Sequence, residues 1–252
     1  MPLVSTPAII LSALRYGETS KIVRLATEDH GVQSAIAKGA LRPKSRFGAA
    51  LQVLSGGQAQ FLLSERRELH ILTAFDVTTI PVGLTSDVRR YATAAALAET
   101  MLRAAPADSH PEAYQSLADG LLALERAPGD EVPALALQRL WGLVGALGYS
   151  PGLTVCVRDG RPLEAGEVAF SVREGGALCR SCARGAEATV LPADARAVLV
   201  GFQRKGALPP LGPREAAAHR RLLSRYIQDH LVESTNLVAL RFWQECEWGN
   251  GR

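Results

Sequence analysis

Three cysteines and one aspartate carry the densest chemical pattern in this 252-residue chain. Cys156-Val157-Arg158-Asp159 is followed, nineteen residues later, by Cys179-Arg180-Ser181-Cys182. Two ligands three positions apart can point into one knuckle, and two knuckles joined by a hairpin can close a tetrahedral site around zinc. Four protein donors leave no position for water or substrate, so the pattern favours a structural zinc over a catalytic one. Cys156, Cys179 and Cys182 are the soft ligands, with Asp159 as a harder fourth. The alternative role for Asp159 is a hairpin turn with Gly160, and the two roles are compatible. A redox reading of Cys179 and Cys182 lacks the flanking strand-helix-strand pattern. A nucleobase deaminase would need glutamate two residues after its first ligand, where this chain has Arg158. A metal-dependent hydrolase stays as an alternative in which one coordination position is left to water. Cys246 has no partner at knuckle spacing and reads as a free thiol.

The elements that must position these residues fall into three blocks. Residues 8–14, 21–26, 33–37, 58–63 and 68–74 are short strand-like runs, with turn signals at Tyr16-Gly17-Glu18, Asp29-His30-Gly31, Pro43-Lys44-Ser45 and Ser55-Gly56-Gly57. Five short strands in about 75 residues predict a small closed barrel, since closure removes exposed edges, and an oligonucleotide-binding (OB) fold leads. From Asp87 the period becomes helical. Val88, Tyr91, Ala95, Ala98 and Leu102 form one stripe, Tyr114, Leu117, Leu121 and Leu124 a second, and Leu137, Leu140, Trp141, Val144 and Leu147 a third. A short helix from Ala193 to Val200 and a longer one from Pro213 toward Leu231 follow the knuckles. The expected class is α+β: an OB barrel over residues 1–80, then a helical domain over 81–252 carrying a zinc-knuckle hairpin at about 152–190.

Charge is unevenly spread around a modest net +3. Residues 1–80 hold nine Lys/Arg against six Asp/Glu, residues 81–150 five against eight, and residues 151–252 fourteen against eleven. No acid occurs from His30 through Ser64, the stretch that contains Lys38, Arg42, Lys44 and Arg46. A local positive field there could neutralise phosphates, with Arg15, Lys21, Arg24, Arg66 and Arg67 as further candidates on adjoining strands. Glu65 and Glu68 flank the last two and weaken them. Tyr16, Phe47 and Phe61 are the available stacking partners, so nucleic-acid binding would be chiefly electrostatic, non-specific and salt-sensitive.

Other chemistries find little support. The five histidines lack the i, i+4 pairing of a helical metal site, and there is no G-x-S-x-G elbow, Walker A loop or G-x-G-x-x-G turn. No secretory leader or membrane-length apolar run is visible, which predicts a cytoplasmic protein with unpaired thiols.

Several segments resemble the RecO family of bacterial recombination mediators. Tyr16-Gly17-Glu18-Thr19-Ser20 and His30-Gly31 are similar to its barrel turns, and Ala37 through Arg46 is similar to its basic loop. Leu147-Gly148-Tyr149 with Pro151 resembles its approach to the knuckles, and His219 through Leu223 to His230-Leu231 its closing helix. The departure is Asp159, where many zinc-bearing members place cysteine. The resemblance implies no catalysis. It implies binding of single- and double-stranded DNA, annealing of complementary strands, remodelling of single-stranded-DNA-binding protein, and loading of RecA together with RecR. Arg220, Arg221 and Arg225 on the C-terminal helix are candidates to receive an acidic partner tail. A zinc-stabilised protein-interaction scaffold is the competing reading, because positive surface alone does not choose its partner.

Overall fold

A computed structural model describes residues 2–64, 68–204, 206–231 and 236–246. Five strands, β1 (Leu3–Tyr16), β2 (Ser20–Thr27), β3 (Gly31–Ala37), β4 (Gly56–Leu62) and β5 (Leu69–Thr79), close into a barrel in the order β1-β2-β3-β5-β4. β3 and β5 run parallel and every other neighbouring pair is antiparallel. Alternation along the strands turns Ala8, Ile10, Val23, Leu25, Ala35 and Ala59 into the barrel interior. A register shift between Ile10 and Ser12 breaks the alternation of β1 and bends it around the closure. The expected OB-type barrel is therefore present, and the Gly56-Gly57 pair, read from sequence as turn, lies inside β4.

Two of the three expected stacking aromatics serve the core instead. Phe61 is fully buried and Phe47 is 2% exposed, both in the barrel interior, so only Tyr16 among them faces solvent. A barrel this small needs large side chains to fill it, and that need took the aromatics inward.

Beyond the barrel come α1 (Val88–Ala104), α2 (Pro111–Arg126), α3 (Val132–Ala146), α4 (Ala193–Gln203), α5 (Pro213–His230) and α6 (Val238–Glu245). Asp87 caps α1 by accepting from the backbone N–H of Arg89 at 2.8 Å. The stripe expected on α1 holds only in its later half: Val88 and Tyr91 are exposed, Ala98 is buried and Leu102 packs on the core, and Ala92, Ala94, Ala96, Leu97 and Met101, outside the stripe, are buried as well. The reason is that α1 is central. It packs against α2, α3, α6 and two barrel strands, and its alanines allow close approach from several sides. Glu99 on α1 also accepts the orphan N–H of Leu240 at the start of α6.

Between α3 and α4 lies a three-stranded sheet of β6 (Val168–Ser171), β7 (Gly176–Leu178) and β8 (Thr189–Leu191), in the order β7-β6-β8. This is the knuckle-bearing insertion. Its residues Leu153, Phe170 and Leu191 join the helical core, as do Ile9, Leu11, Ala26, Val32 and Leu54 from the barrel. One apolar cluster thus ties barrel, helices and insertion together.

Two histidines sit inside this framework in neutral form. The His70 Nδ1 accepts from the Ser64 N–H at 3.1 Å, which leaves its Nε2–H to donate to Gln33 Oε1 at 2.7 Å. His219 is 3% exposed, edge-on to Phe202, and burial lowers its pKa below the ordinary 6.5. Burial, and secondarily His30, lowers that of His70 as well. In the unfolded chain both take up a proton near 6.5, whereas the folded protein resists until lower pH. The unfolded state therefore binds more protons in that window, and stability falls as pH drops through it. We expect the thermal midpoint to fall between about pH 8 and about pH 5.5, with His219→Leu recovering part of the fall. Scanning calorimetry of both proteins at the two pH values is the check; an equal gap between them at both would show that His219 is not a source of the acid sensitivity.

Candidate nucleic-acid interface and metal centre

The segment from Lys38 to Ser55 folds over one mouth of the barrel. Ala40, Phe47 and Leu51 are buried in the barrel cluster, and successive turn hydrogen bonds, such as Arg42 N–H to Gly39 O at 3.1 Å and Ser45 N–H to Arg42 O at 3.0 Å, hold its backbone. The apolar residues plug the mouth, so Lys38, Arg42, Lys44 and Arg46 face solvent. Gly39 adopts a φ of +72°, a left-handed turn that a side chain would strain. The Arg46 guanidinium lies over the Phe47 ring, 5.2 Å from its centroid, which restrains the cation without neutralising it. Among the described residues none of these four cations makes an ion pair.

Leu41 N–H donates to Thr19 O at 2.9 Å, joining the loop to the β1–β2 turn, which also carries the exposed Glu18. Arg15 and Lys21 are cross-strand partners at that end of the sheet. Arg15 donates to Gly17 O, and Lys21 reaches across to Leu51 O at 3.3 Å. Structure thus brings Arg15 and Lys21 beside the loop. Arg24 is elsewhere: it is half-buried on the outer side of β2, where burial and the charge of Arg103 on α1 lower its pKa. Arg66 and Arg67 lie outside the described residues.

In the insertion, the sulfurs of Cys156, Cys179 and Cys182 and a carboxylate oxygen of Asp159 all lie within 4.8 Å of one another. Both the Cys179 and Cys182 sulfurs are 3.4 Å from Asp159 Oδ2. A tetrahedral zinc with bonds of about 2.0–2.3 Å has donor–donor edges of about 3.3–3.8 Å, which the two 3.4 Å sulfur–oxygen distances match, and four donors gathered within 4.8 Å need only a small contraction to close on one ion. The chemistry fits as well, with three soft sulfurs and one oxygen suiting zinc. Asp159 does double duty: its Oδ1 accepts from the Arg161 N–H at 3.1 Å, while Gly160 turns the chain at φ +74°. That N–H is the main cause holding the Asp159 carboxyl at about 2, so it is charged across the physiological range.

Several side chains missed in the sequence hold the knuckles in place. Arg158 pairs with Glu174 and donates to Cys182 O at 2.8 Å, linking one knuckle to the other. Arg196 on α4 is 9% exposed and donates to the carbonyls of Leu153, Glu164 and Gly166. Tyr226 and His230 on α5 bond the β6–β7 turn through Gly175 O and Val172 O. None of these contacts has a local spacing signal, because each spans at least 16 residues.

The C-terminal arginines divide. Arg220 is 7% exposed and offers an acidic partner tail little surface, unlike the other two candidates. Its place on α5 falls on the inward stripe with Leu223 and Ile227. Arg221 and Arg225 are exposed, and Arg225 pairs with Glu187 at 2.8 Å and with Asp229 at 3.9 Å.

The donor geometry makes the role of Asp159 measurable. We expect Asp159→Ala to weaken zinc binding at least tenfold and Asp159→Cys to hold it or tighten it, read by competition with a chromophoric chelator. Zinc affinity unchanged in Asp159→Ala would reduce the aspartate to a turn residue.

Comparison with known proteins places this geometry in a family. Residues 1–80 match the family described as Recombination protein O N terminal, and residues 85–236 match Recombination protein O C terminal. A DNA repair protein RecO from Anaeromyxobacter sp. strain K is 33% identical over 253 residues, covering 97% of each chain. One from Streptomyces avermitilis is 32% identical over 257 residues, covering 96% of this chain and 99% of its own. A third, from Heliobacterium modesticaldum, is 33% identical over 186 residues, covering 72% of this chain and 66% of its own. With both matched segments falling on the barrel and the helical block, this chain belongs to the RecO family of DNA repair proteins.

Proposed function

We propose that this chain is a non-enzymatic mediator of DNA repair and recombination that binds single- and double-stranded DNA through its barrel. The observation that carries the reading is the acid-free loop: its apolar residues plug the barrel mouth, and Lys38, Arg42, Lys44 and Arg46 face solvent with no ion pair among the described residues. Arg15 and Lys21 extend the same positive edge. Such a surface engages phosphates by charge and releases counterions, with no reading of base sequence. Screening two backbones at once and raising their local concentration is sufficient to promote annealing. In this role the chain works with RecR, displaces single-stranded-DNA-binding protein and helps load RecA, in the cytoplasm.

The division of labour we infer is an OB domain over residues 1–80 that meets DNA and a helical domain over 81–252 that meets partners. The insertion at about 152–190 carries a structural zinc held by Cys156, Asp159, Cys179 and Cys182. Four protein donors leave no position for a reacting water, which argues against the hydrolase alternative. Arg221 and Arg225 remain the candidates for an acidic partner tail.

The test is fluorescence anisotropy on single-stranded DNA over a salt series. The quadruple variant Lys38→Ala, Arg42→Ala, Lys44→Ala, Arg46→Ala should lower the salt slope by about 0.7 for each phosphate no longer neutralised, up to about 3 in all, and should lose annealing of strands coated with single-stranded-DNA-binding protein. Unchanged slope and affinity would remove the loop from the interface; competition by an acidic protein without any DNA binding would favour the scaffold reading.

A further inference from the structure

The register of the barrel places a second cationic feature away from the loop. On the outer side of the sheet, Leu14, Ile22, Ile36 and Ile71 stand directly across from one another on β1, β2, β3 and β5. Leu14 is 66% exposed and the other three are half-buried, so this row is a strip of accessible aliphatic surface. The next outer row, about 6–7 Å along the strands, is Ser12, Arg24, Ser34 and Leu69. The intervening row, Ala13, Val23 and Ala35, faces the interior.

Arg24 therefore stands between two serines on an outward sheet face. Its Nε is buried and has no hydrogen-bond partner among the described residues. No ion pair reaches it there either, and the charge that bears on it most is another cation, Arg103 in the last turn of α1. The fold enforces this juxtaposition. Just after Arg103, Pro106 O accepts from the Val32 N–H at 3.3 Å and Ala107 O accepts from the Gln33 side chain at 2.8 Å. Gly31 lies so close that a Cβ there would sit 2.1 Å from Asp108 O. Two like charges, one of them partly desolvated, are thus brought together with no ion pair to Arg24 among the described residues, an arrangement that an anion between them relieves.

We propose that Arg24 and Arg103 form a phosphate clamp at the junction of barrel and helical block, so that a nucleic-acid strand crosses the outer β1-β2-β3-β5 face from the basic loop to α1. The aliphatic row lies between the two cationic edges: Lys38 follows Ala37, the β3 residue paired with Lys21, at one side, and Arg24 stands at the other. Bases laid on that row bury apolar surface while the backbone meets cations at either end. Arg103 has no assigned role in the reading above, on which this inference rests.

The experiment measures anisotropy of single-stranded DNA against salt for the full chain, Arg24→Gln, Arg103→Gln, the quadruple loop variant, and Arg126→Gln as a surface control on α2. Arg24→Gln and Arg103→Gln should each lower the salt slope by about 0.7 and weaken binding roughly three- to tenfold, while Arg126→Gln changes neither. Without DNA, Arg24→Gln should melt no lower than the parent, since it removes an uncompensated, partly buried cation. A slope unchanged in Arg103→Gln, in a protein whose loop variant does lose slope, overturns the clamp and leaves the proposed function standing. No binding by the unmodified chain overturns both. If Arg24→Gln fails to fold, the exposed Arg103 decides the outcome alone.

Discussion

The apolar seam between the outer wall of the barrel and α1 is the contact on which the rest of the molecule depends. Ile9, Leu11, Ala26, Val32 and Leu54 leave the barrel by its outer face and enter the same cluster as the alanines of α1. The larger of these side chains, Ile9, Leu11, Val32 and Leu54, are each worth about 1.5–3 kcal/mol when fully buried, and the alanines let the elements approach closely. Because α1 also meets α3 and α6, the seam orients the whole helical block on the barrel. Together with the hydrogen bonds from Val32 and Gln33 to the segment after α1, it brings Arg103 into the neighbourhood of Arg24.

On the barrel, charge is arranged by packing, and none of the ion pairs among the described residues lies there. In the loop, burial of Phe47 and Leu51 turns their cationic neighbours outward, and no carboxylate in the segment balances them. On the outer sheet face, pleat and register separate the row that carries Arg24 from an aliphatic one. A chain with a net charge of only +3 thereby presents concentrated positive edges. Such edges govern encounter and salt dependence more than they govern fold.

The insertion shows a different economy. It has three short strands, and its knuckles are bound together by Arg158 and bolted to the helices by Arg196, Tyr226 and His230. A sheet so small buries little on its own, so a metal in the Cys156, Asp159, Cys179 and Cys182 cage would supply the missing cohesion. Turn and donor roles are compatible at Asp159 because its two oxygens face different partners, Oδ1 the Arg161 N–H and Oδ2 the Cys179 sulfur.

Local pattern was sufficient for the parts of this protein whose physics is local. Strand alternation and turn residues marked the five strands, ligand spacing marked the knuckles, and the acid-free run marked the loop. Tertiary structure decided whatever depended on enclosure. Phe47 and Phe61, equally plausible from sequence as stacking surfaces, went inside because the barrel had volume to fill. On α1 a single stripe understates the burial, because neighbours on several sides enclose Ala92, Ala94 and Ala96 as well as Ala98, and alanine carries little hydrophobic signal. Arg220 and Arg221 are adjacent in sequence, yet helical phase buries one and exposes the other. Arg24 and Arg103, 79 positions apart, meet only because barrel closure and the α1 seam bring their elements together. Periodicity reports which residues share a face; only packing determines what that face is pressed against.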